Sequence, residues 1–306
     1  VVKYDRESGM LTLHNYMDFV DLTEYAALTY QVSCDGEVID NGFIPYPDGF
    51  TLPPHSENAL PLTVHIPDKG KCFLKIFYHC DKDLPLRSEG HLLVFDEILL
   101  ENEDSRNQKT LAMWSDAPSN STITVQETDR YLTLRGKNFT YNFNKLTGLF
   151  AAMQYEDAVL LDKKMEFNIW RAPTDNDRKL KLDWLAARYD HCMTNAYRTE
   201  YQVADSGVTL RAKVGIAPIS LQKFLDLDVC WTISNSGAVT LALHAERNTV
   251  FPELPRFGLR LFLPESFAEL TYCGLGPVES YVDKHQASYH GVFHSTPAEQ
   301  QEDYIR

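Results

Sequence analysis

At 306 residues with 44% apolar content and a well-spread aromatic set, the chain is long enough for two hydrophobic cores and too long for one small sandwich. Its formal charge of −14 and pI near 5.1 repel polyanions at long range, which argues against nucleic acid or an anionic membrane as partner and leaves a neutral small molecule, such as a sugar, compatible.

The chain opens Val1-Val2-Lys3-Tyr4-Asp5, without an initiator Met and without the charged-then-apolar layout of a signal peptide, so it is expected to be a piece of a longer protein. No apolar run has the length of a membrane span. From residue 1 to 103 it reads as short strands punctuated by turns. Met10–Asn15 leads into Leu28–Cys34, where Leu28, Tyr30, Val32 and Cys34 fall on one face, and Asp35-Gly36 predicts a hairpin returning through Glu37-Val38-Ile39. Pro45, Pro47, Gly49, Pro53 and Pro54 interrupt regular structure, and Leu60–Val64 resumes the sheet. Cys72–Cys80 alternates as a central strand, and Leu92–Phe95 with Ile98–Leu100 closes the set. Strands at this spacing predict an immunoglobulin-like sandwich of about 100 residues.

The six cysteines, at 34, 72, 80, 192, 230 and 273, contain no Cys-x-x-Cys pair and no zinc-type spacing with His, so no metal site is expected. Cys72 and Cys80 share a face of one strand but lie too far apart along it to bond, and a bridge would need Cys34 on a facing strand. Free thiols in a cytoplasmic protein are the expectation.

Residues 104–119 carry Asp104, Arg106, Lys109, Asp116, Pro118 and Ser119 with few apolar positions, the composition of a solvated linker. Trp114 is its exception and is assigned a packing role at a domain interface. A second domain is expected over 120–306. Ile123-Thr124-Val125, Tyr131–Leu134 and Phe139–Phe143 alternate as strands, and Lys145–Leu149 reads as a turn. In Phe167–Asp177 strand chemistry gives way to loop chemistry. Pro173 lacks a donor and biases Ala172 away from the helical region, so the strand should stop there, with Asp175, Asn176 and Asp177 as turn residues. The plain reading of this stretch is a strand end closed by an Asx turn, with Arg171 paired to a nearby carboxylate. Asp183 is placed as the cap of the chain's one convincing helix, Trp184–Tyr189. Strands follow at Val208–Ala212, Leu225–Trp231, Val239–Leu243 and Leu259–Leu263, giving an all-β domain of two packed sheets. Gly274-Leu275-Gly276-Pro277 reads as a tight turn between strands. Glu279, Tyr281 and Asp283 alternate after it.

Two segments carry a family resemblance. Trp170-Arg171-Ala172-Pro173-Thr174-Asp175-Asn176-Asp177 resembles the motif near the start of the last domain of large bacterial β-galactosidases of glycoside hydrolase family 2. Downstream, Gly274-Leu275-Gly276-Pro277-Val278-Glu279-Ser280-Tyr281-Val282-Asp283 is similar to that domain's Gly-Leu-Gly-Pro-x-Glu-x-Tyr-x-Asp segment. The resemblance implies that 1–103 is the immunoglobulin-like sandwich preceding the last domain, and that 120–306 is an incomplete supersandwich of the galactose mutarotase kind. It implies that the chain ends at Asp303-Tyr304-Ile305-Arg306 before the family's further strands.

The chemistry implied is retaining hydrolysis of terminal β-galactosides by two carboxylates at the mouth of a (β/α)₈ barrel. Nothing here alternates strand with amphipathic helix, so that barrel is expected upstream, as this chain's partner in the same polypeptide, and the stretch alone is expected to be inactive with no catalytic residue of its own. The resemblance implies no cofactor in this stretch, Mg²⁺ and Na⁺ bound in domains outside it, and a homo-oligomeric parent. It also implies that the loop from Arg171 to Leu182 borders the substrate site, with Arg171, Asp175, Asn176 and Asp177 as supporting residues. Two other functions stay open: a sugar-binding or interaction module without turnover, and an aldose 1-epimerase using His244, His285, His290 or His294 with Glu246 or Glu279.

Overall fold

The structure, a computed structural model, describes residues 3–114, 122–280 and 282–301. The side chains of Met113 and Trp114, the linker positions 115–121, Tyr281 and the stretch 302–306 lie outside the described residues. By contacts the chain divides into two compact units, Val1–Met113 with Glu269–Arg306, and Trp114–Ala268.

The N-terminal strands are β1 (Lys3–Asp5), β2 (Met10–His14), β3 (Ala26–Cys34), β4 (Glu37–Ile44), β5 (Glu57–Pro61), β6 (Cys72–Cys80) and β7 (Leu92–Leu100). They form a three-stranded sheet, β1-β2-β5, and a four-stranded sheet, β4-β3-β6-β7, the four-plus-three arrangement of an immunoglobulin-like sandwich. Leu11, Leu13 and Leu60 from one sheet meet Leu28, Val32, Leu74 and Ile76 from the other in a continuous core. The β3–β4 turn takes positive φ at Asp35 and Gly36, as the Asp-Gly pair predicts. The last strand pair of the sequence reading is one strand, since Asp96 and Glu97 continue the ladder opposite Ile76 and Lys75. The strand expected at Leu60–Val64 instead ends at Pro61, whose missing N–H suits a strand terminus.

The segment with linker composition is not all solvated. The Asn102 amide donates to the carbonyls of Pro67 and Gly70, and the Asp35 carboxylate accepts from the Gln108 N–H. A helix, α1 (Gln108–Trp114), follows, with the Asn107 side chain accepting from the Thr110 N–H at its start. The helix near Trp184 is therefore not the only one. The segment is tied to the sandwich by Asn102 just before it and by the Gln108 backbone, contacts that composition does not reveal.

The second unit contains β8 (Thr124–Glu127), β9 (Tyr131–Arg135), β10 (Phe139–Asn144), β11 (Leu149–Tyr155), β12 (Ala158–Val159), β13 (Lys163–Asn168), α2 (Leu180–Ala186), β14 (Cys192–Ala204), β15 (Gly207–Pro218), β16 (Leu225–Ser234), β17 (Val239–Arg247) and β18 (Gly258–Phe262). Two antiparallel sheets, β12-β11-β10-β9-β8 and β14-β15-β16-β17, bury one large core between them, and β13 pairs with β18. Leu132, Leu134, Tyr141, Phe143 and Phe150 pack with Leu210, Val214, Leu227, Val229 and Trp231. Two aromatic polar groups inside are satisfied: Trp231 Nε1 donates to the Gly148 carbonyl at 3.0 Å and the Tyr141 hydroxyl to that of Gly237 at 2.9 Å. Gly148 has φ +72°, and a Cβ there would stand 2.8 Å from Val214 Cγ2, so the turn before β11 needs glycine. The architecture is all-β, as expected.

The chain closes with a hairpin, β19 (Leu270–Gly276) and β20 (Tyr289–Ser295), which groups with the N-terminal unit. Gly274 and Gly276 lie inside β19 rather than in a turn, and the Gly276–Pro277 bond is cis. Glu279 and Asp283 do not alternate on a strand, because residues 282–284 turn into a 3₁₀ segment, His285–Ala287, and Glu279 pairs with Lys284 at 2.9 Å. The hairpin packs on β6 and β7. Glu97 accepts from the His290 backbone N–H at 2.8 Å and meets its ring Nδ1 at 2.6 Å. Phe73 stacks on His290, Phe95 meets Tyr289 edge-on, and the ammonium of Lys75, buried at 2% exposure, lies 4.5 Å from the Tyr289 ring.

Candidate functional site: the loop after β13

β13 ends at Asn168, earlier than the proline-based expectation, because its partner β18 begins at Gly258 directly opposite. Beyond it Ile169 is buried and Trp170 half-buried, so the side chains continue to face the core after the ladder stops. Thr174 is extended and Asp175–Asp177 form a 3₁₀ turn, closed by the Asp177 N–H donating to the Thr174 carbonyl at 3.1 Å.

Asp177 is the centre of this turn, with only 6% of its surface exposed. Its Oδ2 accepts from Arg171 Nη1 at 2.5 Å, the Thr174 N–H at 2.8 Å and the Thr174 hydroxyl at 3.0 Å, while Oδ1 accepts from Arg171 Nη2 at 2.9 Å. The Arg171 guanidinium, with help from Thr174, holds the carboxyl down at about 2, against an ordinary 3.8. A carboxylate saturated in this way stays ionised at neutral pH and has no proton to give, so it braces rather than acts as an acid.

Arg171 ties three segments together. Besides Asp177 it donates from Nε to the Pro255 carbonyl at 3.0 Å, and its guanidinium carbon lies 5.1 Å from the ring of buried Trp184. The segment containing Pro255 is held from two other sides. The Tyr189 hydroxyl donates to the Pro252 carbonyl at 2.7 Å, and Arg247 donates to the Phe251 carbonyl at 2.7 Å and to Glu253 at 2.7 Å. Burial pushes the Tyr189 hydroxyl up to about 12, so it remains a donor throughout the neutral range.

The structure thus joins Arg171 to Asp177 and separates both from Asp175 and Asn176. The latter two are exposed, and their side chains make no hydrogen bond among the described residues. Asp183 does not cap α2; it sits in the first turn, the helix beginning at Leu180 without a side-chain cap. α2 buries Trp184 and leaves Leu180, Leu182 and Leu185 exposed. Sequence reasoning missed Thr174, Trp184, Tyr189 and Pro255. Thr174 carried a signal, a hydroxyl three positions before a carboxylate; Pro255 carried none, being an acceptor through its backbone alone.

The four histidines weighed as bases are each engaged separately. His244 lies 3.5 Å from Glu246 on an exposed strand face, His285 Nδ1 is 2.8 Å from the Ser280 hydroxyl, His294 Nδ1 is 2.9 Å from that of Thr271, and His290 is held by Glu97. A shallow hollow of about 360 Å³ on the outer face of β14–β16 is lined by the ion pairs Arg198–Glu200 and Lys213–Asp228, a solvated charged surface. Among the described residues no cluster of His, Cys, Asp and Glu is arranged to hold a metal ion, and no helix is long and apolar enough to cross a membrane.

Comparison with known proteins adds an independent line. Residues 135–306 match the family described as beta galactosidase small chain, and residues 11–101 match beta-galactosidase, domain 4. The chain is 32% identical over 298 residues to a β-galactosidase of Actinobacillus pleuropneumoniae, covering 97% of this chain and 29% of that protein. It is 28% identical over 306 residues to one from Staphylococcus xylosus, covering 98% and 30%. For one from Lactobacillus delbrueckii subsp. bulgaricus the identity is 27% over 296 residues, covering 95% and 28%. The chain therefore spans less than a third of the length of these relatives.

Proposed function

Because the chain belongs to the β-galactosidase small chain family, we propose that it is a non-catalytic region of a β-galactosidase that hydrolyses terminal β-D-galactosides, where it supports the substrate site and the assembly of the larger enzyme. The observation that carries this reading is the pairing of the two family matches, domain 4 over 11–101 and small chain over 135–306, in one chain that covers about 29% of its relative's length. The hydrolytic carboxylates and the (β/α)₈ barrel belong, on this reading, to the remaining length. The loop from Arg171 to Leu182 borders the substrate site of the assembled enzyme. The Arg171–Asp177–Thr174 brace supports its role as a shaped edge, since it fixes the loop and leaves Asp175 and Asn176 presented outward. The setting is cytoplasmic, where six free cysteines are stable.

The test is β-galactoside hydrolysis by this polypeptide alone and mixed with a separately expressed polypeptide carrying the rest of the enzyme. Turnover is expected only in the mixture. Turnover by the polypeptide alone would place the carboxylates within it and overturn the proposal.

A further inference from the structure

Cys34 and Cys72 are direct partners across β3 and β6. The Asp35 N–H donates to the Lys71 carbonyl at 3.0 Å, which makes 35 and 71 a hydrogen-bonded position of the ladder. The neighbouring pair, 34 and 72, is then non-hydrogen-bonded, with Cα atoms about 4.5 Å apart and side chains on one face. That separation lies within the roughly 4.4–6.8 Å span of disulfides. The sulfurs converge on a single loop: Cys34 Sγ lies 3.6 Å from the Lys69 carbonyl oxygen and Cys72 Sγ 3.7 Å from that of Gly70. Gly70 makes room for them, since a Cβ there would stand 2.5 Å from Cys34 Sγ. Both residues are free thiols, Cys72 fully buried at 0% exposure and Cys34 partly exposed.

We propose that Cys34 and Cys72 are an oxidative modification site, a dithiol that hydrogen peroxide converts into a cross-strand disulfide. In the first step the partly exposed Cys34 sulfur takes one oxygen from peroxide, becoming a sulfenic acid, and the first water leaves. The Cys72 sulfur then attacks the Cys34 sulfur, the S–S bond forms, the S–O bond breaks, and the hydroxyl departs with the Cys72 proton as a second water. Two thiols lose two electrons and one peroxide gains them. Cys34 is the partly exposed thiol of the pair, and burial pushes the Cys72 thiol up to about 12, so the first attack falls to Cys34. Asn102 Nδ2, 3.6 Å from Cys72 Sγ, covers the buried sulfur, so the bridge would form where the segment after β7 docks on the sandwich.

The experiment treats the folded chain with hydrogen peroxide, blocks remaining thiols by alkylation and maps tryptic peptides by mass spectrometry. A disulfide-linked pair joining the Cys72–Lys75 peptide to the one containing Cys34 is expected, reversed by dithiothreitol, lost in Cys34→Ser and retained in Cys273→Ser. Three outcomes would overturn the assignment: Cys34 as sulfinic acid beside an unreacted Cys72, Cys34 joined to Cys273, or both thiols intact at a peroxide dose that oxidises exposed Cys273.

Discussion

Four donors converge on the Asp177 carboxylate, two from Arg171 and two from Thr174, and this residue and exposed Asp175 should answer differently to the same substitution. Asp177→Ala leaves a guanidinium with 29% side-chain exposure without its anion and should cost about 2–3 kcal/mol in urea denaturation. Asp175→Ala should stay within about 0.5 kcal/mol. On the proposed function, Asp175→Ala in the longer protein is expected to lower galactoside hydrolysis at unchanged stability, while Asp177→Ala lowers both; unchanged kinetics for Asp175→Ala would overturn the proposed place of the loop beside the substrate. The pH dependence follows from the depressed carboxyl. Between its ordinary 3.8 and its folded value of about 2, the unfolded chain binds the proton and the folded chain does not. Stability from this pair is therefore complete above about pH 4 and lost as pH falls through about 2. Asp177→Asn should flatten that part of the stability profile.

The β19–β20 hairpin depends on side chains distant in sequence. The His290 backbone N–H donates to the Glu97 carboxylate in a charge-assisted hydrogen bond, of the kind worth about 1.5–3 kcal/mol. Glu97→Ala should speed amide exchange across 289–293 by roughly 10- to 100-fold while leaving 225–234 in the other unit protected; equal protection in the variant would mean the aromatic contacts hold the hairpin without it. This docking was not legible in the sequence, because Glu97 and His290 are 193 positions apart and neither is unusual alone. The strands of the two cores were legible where one face is apolar, as in Leu225–Trp231, whose burial alternates residue by residue. β14 was not, because Cys192–Ala204 is exposed over most of its length and so lacks a core-facing pattern. At the candidate site, Arg171 and Asp177 were legible as a turn clamp close in sequence. Trp184 and Pro255 were not, since their contribution is a ring face and a backbone carbonyl placed by the fold.

Across the whole chain two separate cores are built, one around Leu28, Leu74 and Ile76, the other around Phe143, Leu227 and Trp231. Leu74→Ala and Leu227→Ala each remove a buried side chain and should each cost about 2–5 kcal/mol. In differential scanning calorimetry each should lower a different transition; one common shift for both variants would show that the cores melt together. The N-terminal unit, however, is discontinuous, for its hairpin arrives only after the whole of the other unit. About 170 residues separate the end of β7 from the start of β19. A ribosome adding about 5–20 residues per second needs roughly 10–30 s to make them. During that interval the aromatic face of Phe73, Phe77 and Phe95 has been synthesised without Tyr289 and His290 to cover it, so a nascent chain stalled before Leu270 presents a surface that a holding chaperone would grip and the finished chain would not.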